Sequence, residues 1–380
     1  MKYWYVVFLS SAAFFMSYFS RITWSIVSSY STLKPTIQED SIIFSLFFIG
    51  YIVVQIPAGV LSDMFSPAKI SIMSLSFLSL SLFLSGIANS IKLEYLASIL
   101  MGLSAGWIYP ATLKLLSLIY EGKDLALAIG YYSLAWPLSI TLSGLILPYI
   151  SINLGWRVSY YLLAIIGILI AISFIVVTIK INSIKTKEFI TRDNSPRKLF
   201  LFNRNVAILS SAGFLFFTSY WIITLYSYKY FLIILHNPYV SGLAYSLLAA
   251  AGIPSTIVSG YIINRLNVKN TLFLGEFLYG LLVLTLGFST ALTLIIVVAT
   301  LMGFIRFIIT PANSTAASVI GKEKAGAVAG TANMFWQSSG IISPLIASLI
   351  ISYFSYFTLW IVSSALIIIS SMIYLGLKIK

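Results

Sequence analysis

The sequence predicts an all-α integral membrane protein of twelve transmembrane helices, arranged as two pseudo-symmetric six-helix bundles. Hydrophobic residues make up 59% of the 380-residue chain and charged residues only 9%, against about 25% charged in a typical soluble domain. Apolar runs of about 20 residues, the length that crosses a bilayer, follow one another almost without pause. A soluble protein would have to bury twelve such helices in one core, so we set that class aside.

The apolar runs predict twelve spans. They lie near 4–30, 41–62, 70–88, 95–119, 125–150, 157–179, 205–235, 240–263, 271–289, 292–318, 326–351 and 357–377. We expect the first to be a span and not a cleavable signal, because it has no small-residue cleavage site. The predicted domains are an N-terminal bundle at 1–179, a polar, basic cytoplasmic linker at 180–204, and a C-terminal bundle at 205–380.

A sequence duplication supports the division into two halves. The matched positions, 199 to 201 residues apart, are Gly59 with Gly260, Asp63 with Asn264, Leu100-Met101-Gly102 with Leu301-Met302-Gly303, Pro110-Ala111 with Pro311-Ala312, Gly122-Lys123-Asp124 with Gly321-Lys322-Glu323, and Trp136 with Trp336. One such pair would be chance, but a series at nearly one offset indicates internal repeats. Repeats of this kind are typical of secondary transporters.

The net charge of +13 is distributed unequally between the two predicted sides of the membrane. With the N-terminus inside, sixteen Lys and Arg residues lie on the cytoplasmic side and only Lys34, Lys92 and Arg157 lie outside. This bias is the positive-inside rule, and it predicts a multi-pass protein of the cell membrane with both termini cytoplasmic. The basic excess then faces anionic lipid head groups, so no nucleic-acid partner is expected.

Two loops carry a resemblance to a known family. Gly59-x-x-x-Asp63, followed by Phe65 and Lys69, and its weaker copy Gly260-x-x-x-Asn264-Arg265 resemble the repeated loop of the major facilitator superfamily. Together with the two six-span halves, the resemblance covers essentially the whole chain. It implies the major facilitator fold and a cytoplasmic gate built by Gly59, Asp63, Lys69, Gly260, Asn264 and Arg265. Gly and Asp could instead simply form a tight turn, but recurrence of the loop in register favours the gate.

The chain also departs from the family pattern. Met64 and Ser66 stand where the family loop usually has Arg and Gly, and Ser98 stands where many proton-coupled members carry Arg. Span five shows Trp136-Pro137-Leu138-Ser139 in place of the drug-antiporter pattern. These differences argue against proton-driven drug efflux.

The basic residues within the spans indicate the substrate class. Arg21, Lys114, Lys229 and Arg306 lie on spans one, four, seven and ten, which line the central cavity in the family. The one clearly intramembrane carboxylate is Glu276 on span nine, a peripheral span in the family. Cations without a cavity carboxylate favour an anionic substrate. The candidate substrate-binding residues are Arg306, Arg21, Lys229, Trp24, Asn313, Asn333 and Gln337.

Each basic residue also has a simpler interpretation. Arg21 and Lys114 could extend to the head groups from the ends of their spans. Lys229 lies between Tyr228 and Tyr230, a pattern typical of the membrane interface. Only Arg306 lies near the middle of its span and shares a face with Thr310 and Asn313. Span one adds Tyr18-Phe19-Ser20-Arg21, which resembles the Tyr-x-Asp-Arg segment of the family's organic-anion branch.

The function predicted is secondary active transport of a small organic or inorganic anion by alternating access, by a monomer. A proton-coupled multidrug or sugar transporter of the same fold, or a non-transporting membrane sensor, stays open. With one His and no Cys, the sequence offers no catalytic constellation, metal site or cofactor site. A coupling ion is left open. The lack of a cavity carboxylate favours anion exchange, or a proton carried on or beside the substrate, over carboxylate-relayed symport.

Overall fold

The computed structural model describes residues 3–182 and 203–378, which form fifteen α-helices and no β-strand. The helices are α1 Trp4–Val27, α2 Ile37–Met64, α3 Pro67–Gly86, α4 Ile91–Ala105, α5 Ile108–Ile119, α6 Gly122–Ser133, α7 Ala135–Ile150, α8 Trp156–Asn182, α9 Arg204–Leu235, α10 Pro238–Ala250, α11 Gly252–Leu266, α12 Val268–Phe288, α13 Leu292–Gly321, α14 Ala325–Tyr353 and α15 Tyr356–Tyr374. The all-α prediction is confirmed. Most of the predicted linker, 183–202, lies outside the described residues.

The helices account for twelve membrane crossings. Among the described residues, eleven segments are long and apolar enough to span a membrane, and one of them, Gly122–Thr178, is 57 residues long. At a helical rise of about 1.5 Å per residue this segment would be far longer than a hydrocarbon core of about 30 Å. A π-helical turn at Ser151–Gly155 divides it, and Gly155 has φ 94°. The segment therefore holds two crossings, and the chain is a multi-pass membrane protein.

Three of the twelve crossings consist of two consecutive helices. The fourth is interrupted between α4 and α5 at Gly106 and Trp107, the fifth between α6 and α7 at Leu134, and the eighth between α10 and α11 at Ala251. Interrupted helices are a common feature of transporters, where half-helix ends present backbone groups at mid-membrane depth.

The chain divides into two compact units. Unit 1 comprises Met1–Leu33, Leu46–Ser139 and Ile150–Pro196, and unit 2 comprises Lys34–Ser45, Ile140–Tyr149 and Arg197–Lys380. Two short segments that precede the predicted linker are thus grouped with the helices that follow it. Within unit 2, a Cβ atom on Gly144 of α7 would lie only 2.6 Å from the carbonyl oxygen of Gly242 of α10. The predicted bundle boundaries at 1–179 and 205–380 remain predictions.

The repeated Leu-Met-Gly triplet has a packing cause in both units. A Cβ atom on Gly102 would overlap the carbonyl oxygen of Phe47, where α4 crosses α2. A Cβ atom on Gly303 would lie 2.5 Å from the carbonyl oxygen of Leu247, where α13 crosses α10. Only glycine allows backbones to approach so closely. The duplication therefore preserves one helix-crossing geometry in each unit.

The repeated tryptophan also has the same environment in both units. The Trp136 ring lies 5.5 Å from the ring of Tyr18, and the Trp336 ring lies 5.6 Å from the ring of Phe217. Tyr18 and Phe217 are 199 residues apart, within the range of offsets of the duplication. Each tryptophan thus packs on the first helix of its own sequence half.

Candidate functional site

Arg21 lies in unit 1 against aromatic rings of α1 and α2. Its side chain is 5% exposed, and its guanidinium carbon is 4.1 Å from the ring centroid of Tyr51. The rings of Tyr18, Phe48 and Phe47 follow at 5.2, 5.3 and 5.5 Å. We call these five residues the Arg21 cluster.

Close helix packing holds the rings of this cluster in place. The backbone of α2 at Phe47 is in contact with Gly102, and a Cβ atom on Gly106 would lie 2.6 Å from the carbonyl oxygen of Tyr51. One turn further along α2, the side-chain amide of Gln55 donates a hydrogen bond to the carbonyl of Gly106 at 3.1 Å. The two glycines at the end of α4 therefore fix the stretch of α2 that carries the rings.

Arg306 lies in unit 2 in a similar environment. Its side chain is 1% exposed, and its guanidinium carbon is 4.1 Å from the ring of Tyr220 and 5.0 and 5.2 Å from the rings of Phe216 and Phe217. Its Nη1 atom donates a hydrogen bond to the Thr310 hydroxyl one helical turn along α13. We call these five residues the Arg306 cluster.

The two clusters share a sequence motif that our sequence analysis missed. Phe47-Phe48-x-x-Tyr51 on α2 and Phe216-Phe217-x-x-Tyr220 on α9 have the same order of rings. They are 169 residues apart, so they are not copies within the duplication. The repeat of this motif was the available signal, but aromatic residues are frequent throughout the spans, where most serve packing or the membrane interface.

Aromatic rings surround the guanidinium groups of both Arg21 and Arg306. A guanidinium is attracted to the face of an aromatic ring, which fixes the plane of the group. Each guanidinium carbon lies within 5.5 Å of at least three ring centroids, close enough for this attraction.

Lys229 has a carboxylate partner within unit 2. Its ammonium forms an ion pair with Asp40, which lies in the first turn of α2 and is buried. In the same region Gln38 donates a hydrogen bond to Ser352 at 2.7 Å, and Ser45 donates to the carbonyl of Ile341 at 2.8 Å. The substrate-binding role of Lys229 stays a prediction, with Asp40, which lies just before the predicted second span at 41–62, as a competing partner.

The remaining candidates for substrate binding lie on three helices. Trp24 is buried one turn beyond Arg21 and meets the Trp156 ring edge-on at 6.3 Å. Asn313 is buried two turns beyond Arg306 and accepts a hydrogen bond from the Tyr374 hydroxyl at 2.8 Å. Asn333 and Gln337 are half-buried neighbours on α14, 3.5 Å apart. Their substrate roles remain predictions.

Buried carboxylates are more numerous than the sequence suggested. The expectation that Glu276 is the one clearly intramembrane carboxylate stays a prediction, but Glu94, in the first turn of α4, is also completely buried. The span containing Glu94 begins at Ile91, earlier than the predicted start, and its first turn packs on α3. Glu94 accepts a hydrogen bond from Ser85 at 3.0 Å. Glu276, at the middle of α12, is completely buried as well and lies 2.5 Å from Ser370 Oγ.

The predicted gate residues lie at helix ends. Asp63 is in the last turn of α2, Lys69 is exposed at the start of α3, and Asn264 and Arg265 are exposed at the end of α11. A Cβ atom on Gly59 or on Gly260 would meet no heavy atom of the described residues within 4 Å. Close packing in this structure therefore does not require glycine at either position, and the gate stays a prediction.

Comparison with known proteins agrees with this architecture. The family model described as "Major Facilitator Superfamily" matches residues 9–344. The chain is 25% identical over 173 residues to "Uncharacterized transporter YybO" of Bacillus subtilis, which covers 45% of this chain and 40% of that protein. It is 25% identical over 155 residues to "Probable L-galactonate transporter" of Escherichia coli, covering 39% and 34%. It is 30% identical over 155 residues to "Hexuronate transporter" of Bacillus subtilis, covering 38% and 36%.

These alignments span two fifths or less of each relative's length. A solved structure is similar over the whole chain: a bacterial homologue of the human lysosomal transporter Spinster, in an inward-facing and occupied conformation. Its TM-score is 0.80, with 13% identity, and the alignment covers 98% of this chain and 96% of that one. This likeness shows the fold. From the family match over residues 9–344, the chain belongs to the Major Facilitator Superfamily.

Proposed function

We propose that this protein is a secondary active transporter that moves a small organic anion, of the sugar-acid class, across the cell membrane by alternating access. The observation that carries the proposal is the burial of two arginines, Arg21 and Arg306, on aromatic rings within membrane-spanning helices. Placing a cation within a membrane is expensive, so intramembrane arginines are functional candidates by default. An anionic substrate offsets that cost whenever it binds.

The substrate class is supported by both the site chemistry and the relatives. A sugar acid presents a carboxylate, which an arginine fork grips with two parallel hydrogen bonds. It also presents hydroxyl groups, which side-chain amides such as those of Asn333 and Gln337 can bind. The curated relatives include proteins named as transporters of L-galactonate, of galactarate and D-glucarate, and of hexuronate.

We assign Arg306 as the chief anion contact and Arg21 as the second. Arg306 is the more deeply buried of the two, and Thr310 holds one of its amino groups in place. Lys229 is assigned to the ion pair with Asp40, and Trp24 and Asn313 to the immediate surroundings of the two arginines.

Orientation in the membrane is also a proposal. The charge bias between loops supports cytoplasmic termini, a cytoplasmic linker and insertion in the cell membrane. A monomer that binds no nucleic acid and no cofactor fits the same composition. The chain has no native cysteine, so single cysteines introduced in the linker and in the loop around Lys34 can be labelled selectively from either side. Labelling of the linker from outside intact cells would contradict this topology.

Transport in proteoliposomes tests the function directly. The probes are radiolabelled D-glucuronate, L-galactonate and D-glucarate, with D-glucose as a neutral probe and ethidium as a cationic one. We expect saturable uptake of at least one sugar acid, no uptake of glucose or ethidium, and loss of the activity in Arg306→Ala. Transport of glucose or ethidium that is unchanged in Arg306→Ala and Arg21→Ala would refute the anion proposal and favour a sugar or multidrug transporter. Binding without transport of any probe would favour a membrane sensor.

A further inference from the structure

We propose that a groove on the surface of unit 1 binds one anionic phospholipid, with an acyl chain in the groove and the phosphate at Arg157. The groove has a volume of about 650 Å³ and is formed by α3, by α4 and by Trp107, which follows α4. The proposed transport of sugar acids gives this groove no role. The lipid site is therefore separate from the substrate contacts assigned to Arg21 and Arg306.

A regular stripe of apolar side chains on α3 lines the groove. Its members are spaced four, three, four and three residues apart, which places them on one face of the helix. They are Met73, Phe77, Leu80, Leu84 and Ile87. The rest of the lining includes Leu100, Leu103 and Trp107. From Met73 to Ile87 the groove is about 21 Å long at a helical rise of about 1.5 Å per residue. One leaflet fills half of a hydrocarbon core of about 30 Å, so the groove is long enough for one acyl chain.

The serine hydroxyl groups of the groove are already engaged within the protein. Ser74 Oγ donates a hydrogen bond to the carbonyl of Ser104 at 2.5 Å. Ser104 Oγ donates to the carbonyl of Leu100 at 2.7 Å, and Ser81 Oγ donates to the carbonyl of Phe77 at 2.8 Å. A hydroxyl has one proton to donate, so these serines are spent as donors. The lining therefore favours an apolar occupant over a sugar or a row of water molecules.

The open side of the groove faces the lipid. Phe77 and Leu80 are 55% and 63% exposed, and they lie on a helix long and apolar enough to span the membrane. Their exposed surfaces therefore meet acyl chains and not water. Packing in lipid depends on van der Waals contacts, and an empty groove would lose those contacts along its lining. An acyl chain that fills the groove restores them.

Arg157 lies at the end of the groove where α3 ends. Its Nη2 atom donates a hydrogen bond to the carbonyl of Ala88 at 2.8 Å, and Ala88 directly follows the groove residue Ile87. Its Nη1 atom donates to the Thr32 hydroxyl at 3.1 Å, and its guanidinium carbon is 4.5 Å from the Trp156 ring centroid. These contacts hold the guanidinium in place, and the group has more N–H donors than the two bonds use. A phosphate bound there would lie next to the end of the groove.

Close packing of α8 on α3 fixes the position of Arg157 relative to the groove. Tyr161, one turn beyond Arg157 on α8, donates a hydrogen bond to the carbonyl of Gly86 at 2.9 Å. Its ring lies 5.6 Å from the ring of Phe83, which lines the groove. A Cβ atom on Gly86 would overlap the Tyr161 ring, so glycine is needed for this approach. The arginine and the groove therefore form one continuous surface.

The accessible charge at this end of unit 1 is positive. Lys92 is exposed in the first turn of α4, and Arg157 is half-buried. The acid of unit 1 that the structure describes at this end is Glu94, which is completely buried and accepts a hydrogen bond from Ser85. Accessible cations favour a head group with a net negative charge over a zwitterionic one. In the proposed topology this end is external, so the lipid belongs to the outer leaflet.

The test measures lipid binding to the purified protein by native mass spectrometry. The probe is palmitoyl-oleoyl phosphatidylglycerol. It is compared with phosphatidylcholine of the same chains and with dihexanoyl phosphatidylglycerol, which keeps the head group but has short chains. We expect one tightly bound long-chain phosphatidylglycerol, with a Kd about tenfold lower than the Kd of either comparison lipid. Equal affinity for the three lipids would overturn the proposal.

Substitution of the basic residues tests the head-group site. Arg157→Gln and Lys92→Gln should each raise the Kd about fivefold. Lys123→Gln is the matched control, because Lys123 is the exposed second residue of α6, as Lys92 is of α4, but lies at the opposite end of unit 1. It should bind the lipid as the wild type does, and an equal loss there would overturn the proposal. Should Arg157→Gln be unstable, an unchanged Kd in Lys92→Gln would also overturn it.

Filling the groove tests the acyl-chain site. Leu84 is half-buried in the groove, so the larger indole of Leu84→Trp occupies space for the chain and should raise the Kd about tenfold. Leu169→Trp, on the exposed face of α8, is the matched control and should bind normally. Equal binding by the two variants would exclude the groove. A wild-type dimer that Leu84→Trp abolishes would show that a second copy covers the groove, and would overturn the proposal. Because binding is measured without transport, failure of the sugar-acid proposal leaves these results unaffected.

Discussion

The Arg21 and Arg306 clusters place the same cation on the same kind of rings, yet they are built on different helices. In unit 1 the arginine is on α1 and three of the four rings are on α2, whereas in unit 2 the arginine is on α13 and its three rings are on α9. The duplication aligns Arg21 with Tyr220, 199 residues later. Arg21 of the first half therefore corresponds to Tyr220 of the second half, and Tyr220 is the ring that lies nearest to Arg306.

This difference indicates that Arg21 and Arg306 are not copies of one another within the duplication. Packing positions such as Gly102 and Gly303 have the same identity and the same close contact in both halves, because only glycine allows the backbones to approach so closely there. A ring-supported arginine can be assembled from any two neighbouring helices that carry the right side chains.

The largest expected effect is the loss of transport on replacing Arg306, compared with the smaller loss on replacing Arg21. Arg306→Ala should lower the rate of sugar-acid uptake about 100-fold or more, because loss of the partner of a buried charge costs about 3 kcal/mol. Arg306→Lys keeps the charge but loses the fork, and an intermediate loss is expected. Arg21→Ala should lower the rate about tenfold. Initial uptake rates in proteoliposomes measure these effects, and a larger loss for Arg21→Ala than for Arg306→Ala would reverse the assignment.

The second prediction concerns Lys229, which forms an ion pair with Asp40, whereas Arg21 and Arg306 lie on aromatic rings. Asp40→Ala or Lys229→Ala alone should reduce transport about tenfold, because each leaves a partly buried charge without its partner. The exchange of the two charges in Asp40→Lys with Lys229→Asp should restore most of the rate, since only the ion pair matters. Failure of the exchanged pair to recover, together with a raised KM in Lys229→Ala, would instead support Lys229 as a substrate contact.

The third prediction concerns the packing that the two halves share. Gly102→Ala and Gly303→Ala should each destabilise the protein by about 1–3 kcal/mol, because each new methyl group meets a backbone carbonyl that cannot move freely. Gly59→Ala and Gly260→Ala meet open space in the structure, and they should leave the stability unchanged or slightly raised. Thermal unfolding in detergent measures all four variants. Loss of stability in the second pair would show that the predicted gate glycines are packed in a conformation other than this one.

The smallest expected effect tests the aromatic support. Tyr51→Leu and Tyr220→Leu remove the ring nearest to each arginine, and each should weaken substrate affinity by about 0.5–1 kcal/mol, or about two- to fivefold in KM. Tyr→Phe at the same positions keeps the ring face and should have a smaller effect. If the Phe variants are as impaired as the Leu variants, the tyrosine hydroxyl and not the ring carries the interaction.

The candidate site could be predicted only in part. Arg306 and Arg21 were identified because a charged residue within an apolar stretch can be recognised from the sequence alone. The aromatic partners of the two arginines were not identified. Most of these rings lie on a different helix from the arginine, so no regular sequence spacing relates them to it. Asp40 and Glu94 each lie one residue before a predicted span, at 41–62 and 95–119, yet each is in the first turn of a helix. Hydrophobicity alone marks the ends of helices poorly. The linker at 180–204 was clear as a polar break, but most of it lies outside the described residues.

What the sequence by itself determined are properties that each segment carries locally. The membrane class, the twelve crossings and the internal duplication follow from the length, the apolar character and the spacing of residues, and the solvation preference of a helix does not depend on its neighbours. The tertiary structure alone decided which distant side chains meet. Asp40 and Lys229 are 189 residues apart, Glu276 and Ser370 are 94 residues apart, and Arg306 and Tyr220 lie on separate helices. Such pairings depend on the way helices cross, and many different crossings satisfy the same hydrophobic pattern.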